Sequence, residues 1–190
     1  MLEIPTESRF EIKYVCDKIY YKSLVNWIKL NKLNFTKAHP YRNINNAYFD
    51  NHLFDNYKSN VYGISSRAKF RLRWYDDLES CNNSVFEIKY KRNTYGWKKK
   101  ILLKKPITFF KSKWKDLIKT LNENLPEDLK LFFQSYSCPV IINSYLRDYF
   151  ISYDQKIRIT LDQKHFVYDQ RHSPMINLNY KYSSPEFIVM

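Results

Sequence analysis

Apolar and polar residues alternate with a period of two in one stretch after another of this chain. In Arg67-Ala68-Lys69-Phe70-Arg71-Leu72-Arg73-Trp74-Tyr75 the odd positions begin with Arg67, Lys69, Arg71 and Arg73, and the even positions are Ala68, Phe70, Leu72 and Trp74. A β-strand turns successive side chains to opposite faces, so this stretch is expected to carry one cationic and one apolar face. The pattern recurs in Glu7–Tyr14, where Arg9, Glu11 and Lys13 oppose Phe10, Ile12 and Tyr14, and in Val85–Lys91, where Glu87, Lys89 and Lys91 oppose Phe86, Ile88 and Tyr90. Asn93-Thr94-Tyr95-Gly96 is read as the turn into Trp97–Leu102, a hairpin arm with Lys98 and Lys100. After Pro139, Asn143, Tyr145, Arg147 and Tyr149 share a face, and in Lys156–Asp162 Arg158, Thr160 and Asp162 stand opposite Ile157, Ile159 and Leu161. Short strands are expected at Asn46–Asp50 and at Glu186–Met190.

Helical spacing appears in three places. Asp17 can cap a helix carrying Ile19, Tyr20, Leu24, Trp27, Ile28 and Leu30, and Pro106 opens one with Phe109, Phe110, Trp114, Leu117, Ile118 and Leu121. A shorter one runs from Pro126 to Ser135. Residues 33–46, 51–66, 76–84 and 163–184 read as loops or turns, the first because it holds Pro40 and several Asn. Cations at matching central positions of several strands, with apolar residues opposite and amphipathic helices to cover them, predict an α+β fold: an antiparallel β-barrel, polar inside, with helices packed outside. Residues 1–190 are expected to form a single domain that lacks its last strand or strands, because the apolar run Glu186–Met190 begins just where the sequence stops.

Charge narrows the partners. There are 32 Lys and Arg against 19 Asp and Glu, a formal charge of +13, so anions are favoured. Cations repeated about 6–7 Å apart along a strand suit a polyanion better than one carboxylate. A phosphate-lined lumen, a solvated basic face and a nucleic-acid groove all fit the charge. Nucleic acid is disfavoured because stacking aromatics belong on the cationic face, whereas Phe70 and Trp74 lie opposite it. Glu7, Glu11 and Glu87 share faces with the cations and would either orient them or hold a divalent cation. Cys16, Cys81 and Cys138 form no CxxC pair, and there is neither a signal peptide nor an apolar run of membrane-spanning length. A cytoplasmic protein with reduced thiols is the expectation, any membrane partner lying outside this chain.

Six motifs, in order, carry a resemblance: Arg9-Phe10-Glu11-Ile12-Lys13-Tyr14, Tyr48-Phe49-Asp50, Arg71-Leu72-Arg73-Trp74-Tyr75, Phe86-Glu87-Ile88-Lys89, Tyr145-Leu146-Arg147 and Arg158-Ile159-Thr160-Leu161-Asp162. Together they resemble the vacuolar transporter chaperone (VTC) polyphosphate polymerase domain, a branch of the triphosphate tunnel metalloenzymes of CYTH-like fold. The resemblance implies a basic tunnel that binds ATP or polyphosphate and transfers the terminal phosphoryl group with Mn²⁺ or Mg²⁺. Its catalytic cations would be Lys13, Arg71, Arg73, Lys89, Arg147 and Arg158, with Lys69, Lys98 and Lys100 as further phosphate ligands and Glu11 and Glu87 as metal ligands. A triphosphatase of the same fold and a non-catalytic phosphate-binding module remain alternatives. Two departures stand out: Arg9 replaces the first acid of the superfamily's Glu-x-Glu-x-Lys signature, and the family's principal metal glutamate would fall beyond Met190.

Overall fold

The alternating stretches pair into one antiparallel sheet. The computed structural model describes residues 5, 8–81, 83–103, 107–109 and 112–190. Its strands are β1 (Arg9–Phe10), β2 (Val15–Asp17), β3 (Thr36–Asp50), β4 (Ser66–Tyr75), β5 (Ser80–Cys81), β6 (Val85–Arg92), β7 (Tyr95–Leu102), β8 (Ile107–Thr108), β9 (Cys138–Ile151), β10 (Arg158–Asp169), β11 (Lys181–Ser183) and β12 (Phe187–Val189). The helices are α1 (Tyr21–Leu30), α2 (Asp55–Val61), α3 (Trp114–Asn124) and α4 (Glu127–Gln134). Ten strands form the main sheet, in the order β1-β7-β6-β4-β3-β9-β10-β12-β2 with β11 on β10, while β5 and β8 form a separate pair.

The expected barrel is not closed by strand pairing, since the ladder is an open path ending at β1 and β2. Those two ends are parts of one N-terminal segment, separated only by residues 11–14. Laid flat, nine strands about 4.8 Å apart would put the edges about 38 Å from each other. The link from Phe10 to Val15 spans at most about 18 Å even when fully extended. The sheet therefore curls into a trough, and residues 11–14 cross its seam. Backbone bonds in both directions between Tyr14 and Met190, each 2.9 Å, extend the β2–β12 pairing by one position toward that seam.

The convex face carries the core. Ala47, Phe49, Phe70, Leu72, Trp74, Phe86 and Ile88 are buried beneath Trp114, Leu117 and Leu121 of α3 and Leu129 and Phe133 of α4. Phe133 meets Phe86 and Phe49 edge-on, with centroids 4.9 Å and 5.5 Å away, a favoured aromatic geometry. The Trp74 indole donates to the carbonyls of Asp77 and Leu78, which satisfies its one polar atom. A second cluster packs Ile28 of α1 on Phe150, Leu161 and Ile188. Among the described residues, no helix is long and apolar enough to cross a membrane.

Several expectations are corrected here. Residues 33–46 are not a loop: most belong to β3, whose pairing with β9 shifts register around Lys37, His39 and Arg42. Those irregularities accommodate Pro40, which has no N–H for the ladder. Part of 51–66 is α2, whose second and third amides (Asn56 and Tyr57) donate to the Asp50 carboxylate. Gly96 lies within β7, opposite both Arg9 and Lys91, and the turn is Asn93-Thr94 with Asn93 at φ 53°. Much of 163–184 is strand, because β10 continues to Asp169 through a bulge between Gln163 and Phe166 and then pairs with β11. The Asp17 side chain caps a 3₁₀ turn, Lys18–Tyr20, ahead of α1, and of the stripe named for that helix Ile19, Tyr20, Trp27 and Leu30 face solvent. The helix assigned to Pro106 begins at Trp114, after β8, whereas Pro106 and Phe110 themselves, like Glu7, lie outside the described residues.

Candidate functional site

In an antiparallel ladder, residues directly opposite one another project to the same face. The register sets Asn46 against Arg73, Tyr48 against Arg71, Lys69 against Lys89, Arg71 against Glu87, Glu87 against Lys100, and Lys89 against Lys98. All of these lie on the face opposite the core. The curl of the sheet and the crossing segment gather part of this set around a cleft of about 430 Å³, lined by Glu11, Lys13, Tyr48, Asn60, Arg67, Lys69, Arg71, Lys89 and Lys91. Six of these nine side chains are cations and one is an acid.

Glu87 is the hub beneath the cleft. Its Oε2 accepts from Arg71 Nε at 2.8 Å and also from Arg71 Nη2, its Oε1 accepts from Lys98 Nζ at 3.2 Å, and Arg73 Nη1 stands 3.9 Å away. Burial by itself would raise the Glu87 carboxyl, but Arg71, Arg73 and Lys98 outweigh it and hold the pKa at about 2. Arg73 also donates from Nε to Asn46 Oδ1 at 2.8 Å, and the Asn46 amide donates to Asn143 Oδ1 at 2.8 Å, so this guanidinium is fixed from two strands. Arg71 has Nη1 left for the Tyr48 hydroxyl, at 3.4 Å, on the cleft side. Burial would raise the Tyr48 phenol, yet Arg71, Arg73 and Lys69 bring it below its ordinary value.

The lysines are strained by one another. Burial, then Lys13, Lys89 and Arg67, push the Lys69 ammonium below its ordinary pKa. Burial also depresses Lys89 against the pull of Glu11, whose Oε2 accepts from Lys89 Nζ at 2.7 Å. Lys98 is lowered by burial despite Glu87. Among the described residues, Lys69 has no carboxylate partner. An anion entering the cleft would relieve this repulsion.

The other predicted residues are placed differently. Arg147 is held by Asp162, its register partner on β10, through Nε and through Nη2 at 2.6 Å. It is neutralised there, and its guanidinium lies over the Tyr145 and Tyr149 rings. Arg158 is exposed at the start of β10, and Lys100 is exposed on β7. Arg73 lies beneath the cleft rather than lining it. Tyr48, Arg67, Asn60 and Lys91 line the cleft without having been named as site residues; Tyr48 sits inside a quoted motif, and Arg67 and Lys91 follow the alternation of their strands. Asn60, on α2, has no signal in the sequence.

The carboxylates do not fit a resident divalent cation. Such an ion needs several hard oxygen donors with free lone pairs. The Glu87 carboxylate is taken up by Arg71, Arg73 and Lys98, and that of Glu11 by Lys89, with Lys13 4.0 Å away. Among the described residues, no group of three or more His, Cys, Asp or Glu is placed to hold a metal. Of the two roles open to Glu87, the geometry gives it that of orienting cations.

Positions 8–190 match the VTC domain family. No curated protein matches the chain. A crystal structure from Bacillus halodurans, described as a candidate adenylate cyclase, is 14% identical, covers 96% of this chain and 80% of its own, and superposes with a TM-score of 0.44.

Proposed function

Because the chain belongs to the VTC domain family, we propose that the cationic cleft binds the triphosphate of ATP together with the end of a polyphosphate chain, and passes the terminal phosphoryl group from one to the other. In that reaction a terminal phosphate oxygen of the chain bonds to the γ-phosphorus, the bond from that phosphorus to the β,γ-bridging oxygen breaks, and ADP leaves with the electron pair. Such transfers need in-line positioning and charge neutralisation more than covalent help from the protein. Arg71, Lys69, Lys89 and Lys13 would clamp the phosphoryl oxygens, and Glu87, by fixing Arg71 and Arg73, would keep the forks aimed without moving at the moment of reaction. The observation that carries this reading is the convergence, from β4, β6 and the crossing segment, of six cations and one acid on a single cleft.

Incubation with ATP in buffer containing Mn²⁺ should yield ADP and polyphosphate, resolved by gel and by ³¹P NMR; the absence of both products overturns the transferase reading. ADP with free phosphate and no polymer would instead mark a triphosphatase. A second reading, a module that binds phosphate chains without turnover, is favoured by the engagement of Glu11 and Glu87 with cations. It predicts tight binding of tripolyphosphate and no product.

Lys69 separates a binding role from a structural one. Its depressed pKa means that folding disfavours the charged form, so the free protein carries a penalty at pH 7 that is relieved only as pH rises toward the ordinary lysine value. Lys69→Met is expected to raise the melting temperature of the free protein. It should also weaken tripolyphosphate binding by about ten-fold or more, the worth of one charge-assisted contact. Melting scans and calorimetry on the same preparation check both; a drop in both stability and affinity would assign Lys69 to the scaffold.

A further inference from the structure

Where β4 begins and β6 ends, a second cavity opens at the rim of the cleft. It measures about 200 Å³, and its lining includes Arg67, Ala68, Tyr90, Lys91, Trp97 and Phe132. Tyr90 and Trp97 are register partners on β6 and β7 and stack with their rings 5.7 Å apart and 18° from parallel. They project from the face opposite Lys89, so this cavity lies on the convex side of the sheet. Phe132 of α4 supplies another aromatic wall, anchored edge-on to Phe70 at 4.9 Å and still 38% exposed. The result is a slot with flat apolar walls.

Two residues line both this slot and the cationic cleft: Arg67 and Lys91, which face each other across β4 and β6. A ligand with a flat ring at one end and a chain of anions at the other would place its ring between aromatic surfaces and pass its charge by Arg67 and Lys91 into the cleft. Aromatic rings accept any nucleobase on their faces, and the neighbouring cations favour the phosphates attached to it. Inorganic polyphosphate has no ring to fill the slot. We propose that this rim cavity is the base subsite for a nucleoside triphosphate whose phosphates occupy the cleft, so that the protein distinguishes nucleotide from inorganic triphosphate. The proposal rests on the phosphate-binding reading of the cleft and adds the ligand's other half.

Calorimetric titration of the wild-type chain, Trp97→Ala and Phe132→Ala with ATP and, separately, with tripolyphosphate tests it. Loss of one stacking surface is expected to weaken ATP by about ten-fold or more. Tripolyphosphate affinity should stay at its wild-type value, which also reports that each variant is folded. The subsite is overturned if ATP binding is unchanged in both variants, if both ligands weaken alike, or if the wild type binds tripolyphosphate but not ATP. Failure of the wild type to bind either ligand overturns the cleft reading and the subsite with it.

Discussion

Arg71→Ala/Arg73→Ala should weaken tripolyphosphate binding by about one to two orders of magnitude or more. The Arg71 guanidinium, which lines the cleft, offers charge-assisted hydrogen bonds worth about 1.5–3 kcal/mol, and loss of the Arg73 charge beneath it adds to that cost. Arg71 lines the cleft directly, and Arg73 acts from beneath it, held by Asn46 and close to Glu87. The double variant also leaves Glu87 with Lys98 as its remaining partner, so some stability will be lost. Arg71→Lys/Arg73→Lys keeps the charge near Glu87 but not the planar fork. It should therefore stay folded and still bind more weakly, because a point charge cannot engage two phosphoryl oxygens at once. Calorimetry on material with a native near-ultraviolet circular dichroism spectrum decides the matter. Wild-type affinity in the double lysine variant would remove the fork from the site, and wild-type affinity in the double alanine variant would remove the site altogether.

Glu87→Gln should destabilise the protein most among single substitutions in the site, and it should change the shape of the acid limb. The Glu87 carboxyl is lowered from 4.5 to about 2 on folding, worth about 3 kcal/mol. A depressed carboxyl stabilises the folded state fully above its unfolded value, and that stabilisation is lost as pH falls from about 5 toward 2. Wild-type stability should therefore decline steeply over that window. The glutamine variant should begin about 3 kcal/mol lower at pH 7, with three cations left uncompensated, and decline less on acidification. Denaturant titrations at pH 7 and pH 3 measure both values. Parallel acid limbs in the two proteins would mean that Glu87 is not the group whose protonation matters.

The strands most legible in the sequence were those in which cations and apolar residues alternate without interruption. β4 and β6 follow the predicted stretches almost to the residue, because hydrophobicity and charge alternate there with the period of the strand, even though Arg71, Arg73 and Glu87 end up buried as well. Most of β3 is illegible in the sequence. Pro40 and the surrounding Asn are turn-formers taken locally, and only the neighbouring β9, by tolerating register shifts, makes a strand of them. The extension of β10 past Gln163 is hidden as well, because a bulge interrupts the alternation that would announce it. Asn60 could not be read at all, since nothing on α2 marks it except the cleft it reaches.

Alternation also could not tell a free cation from a neutralised one. Arg71, Arg147 and Arg158 look equivalent along the chain, each on the polar side of a strand. Register then separates them: Arg147 is placed against Asp162 and forms a bidentate pair, Arg71 is placed against Glu87 and keeps an arm for the cleft, and Arg158 is left in solvent at a strand end.

By itself, then, the sequence determined the elements and their two-sidedness. The period of two in Arg67–Tyr75 and its counterparts dictates which side chains are driven out of water and which are kept on the opposite face, and that depends only on local backbone geometry and hydrophobicity. Tertiary structure decided everything that depends on who stands opposite whom: the ladder that stays open and curls until residues 11–14 can cross its seam, the capture of Glu87 by Arg71, Arg73 and Lys98, and the meeting of Lys13, Lys69, Arg71 and Lys89 at one cleft. These are contacts between residues far apart in the chain, fixed by strand register and sheet curvature, and no stretch of sequence carries that information alone.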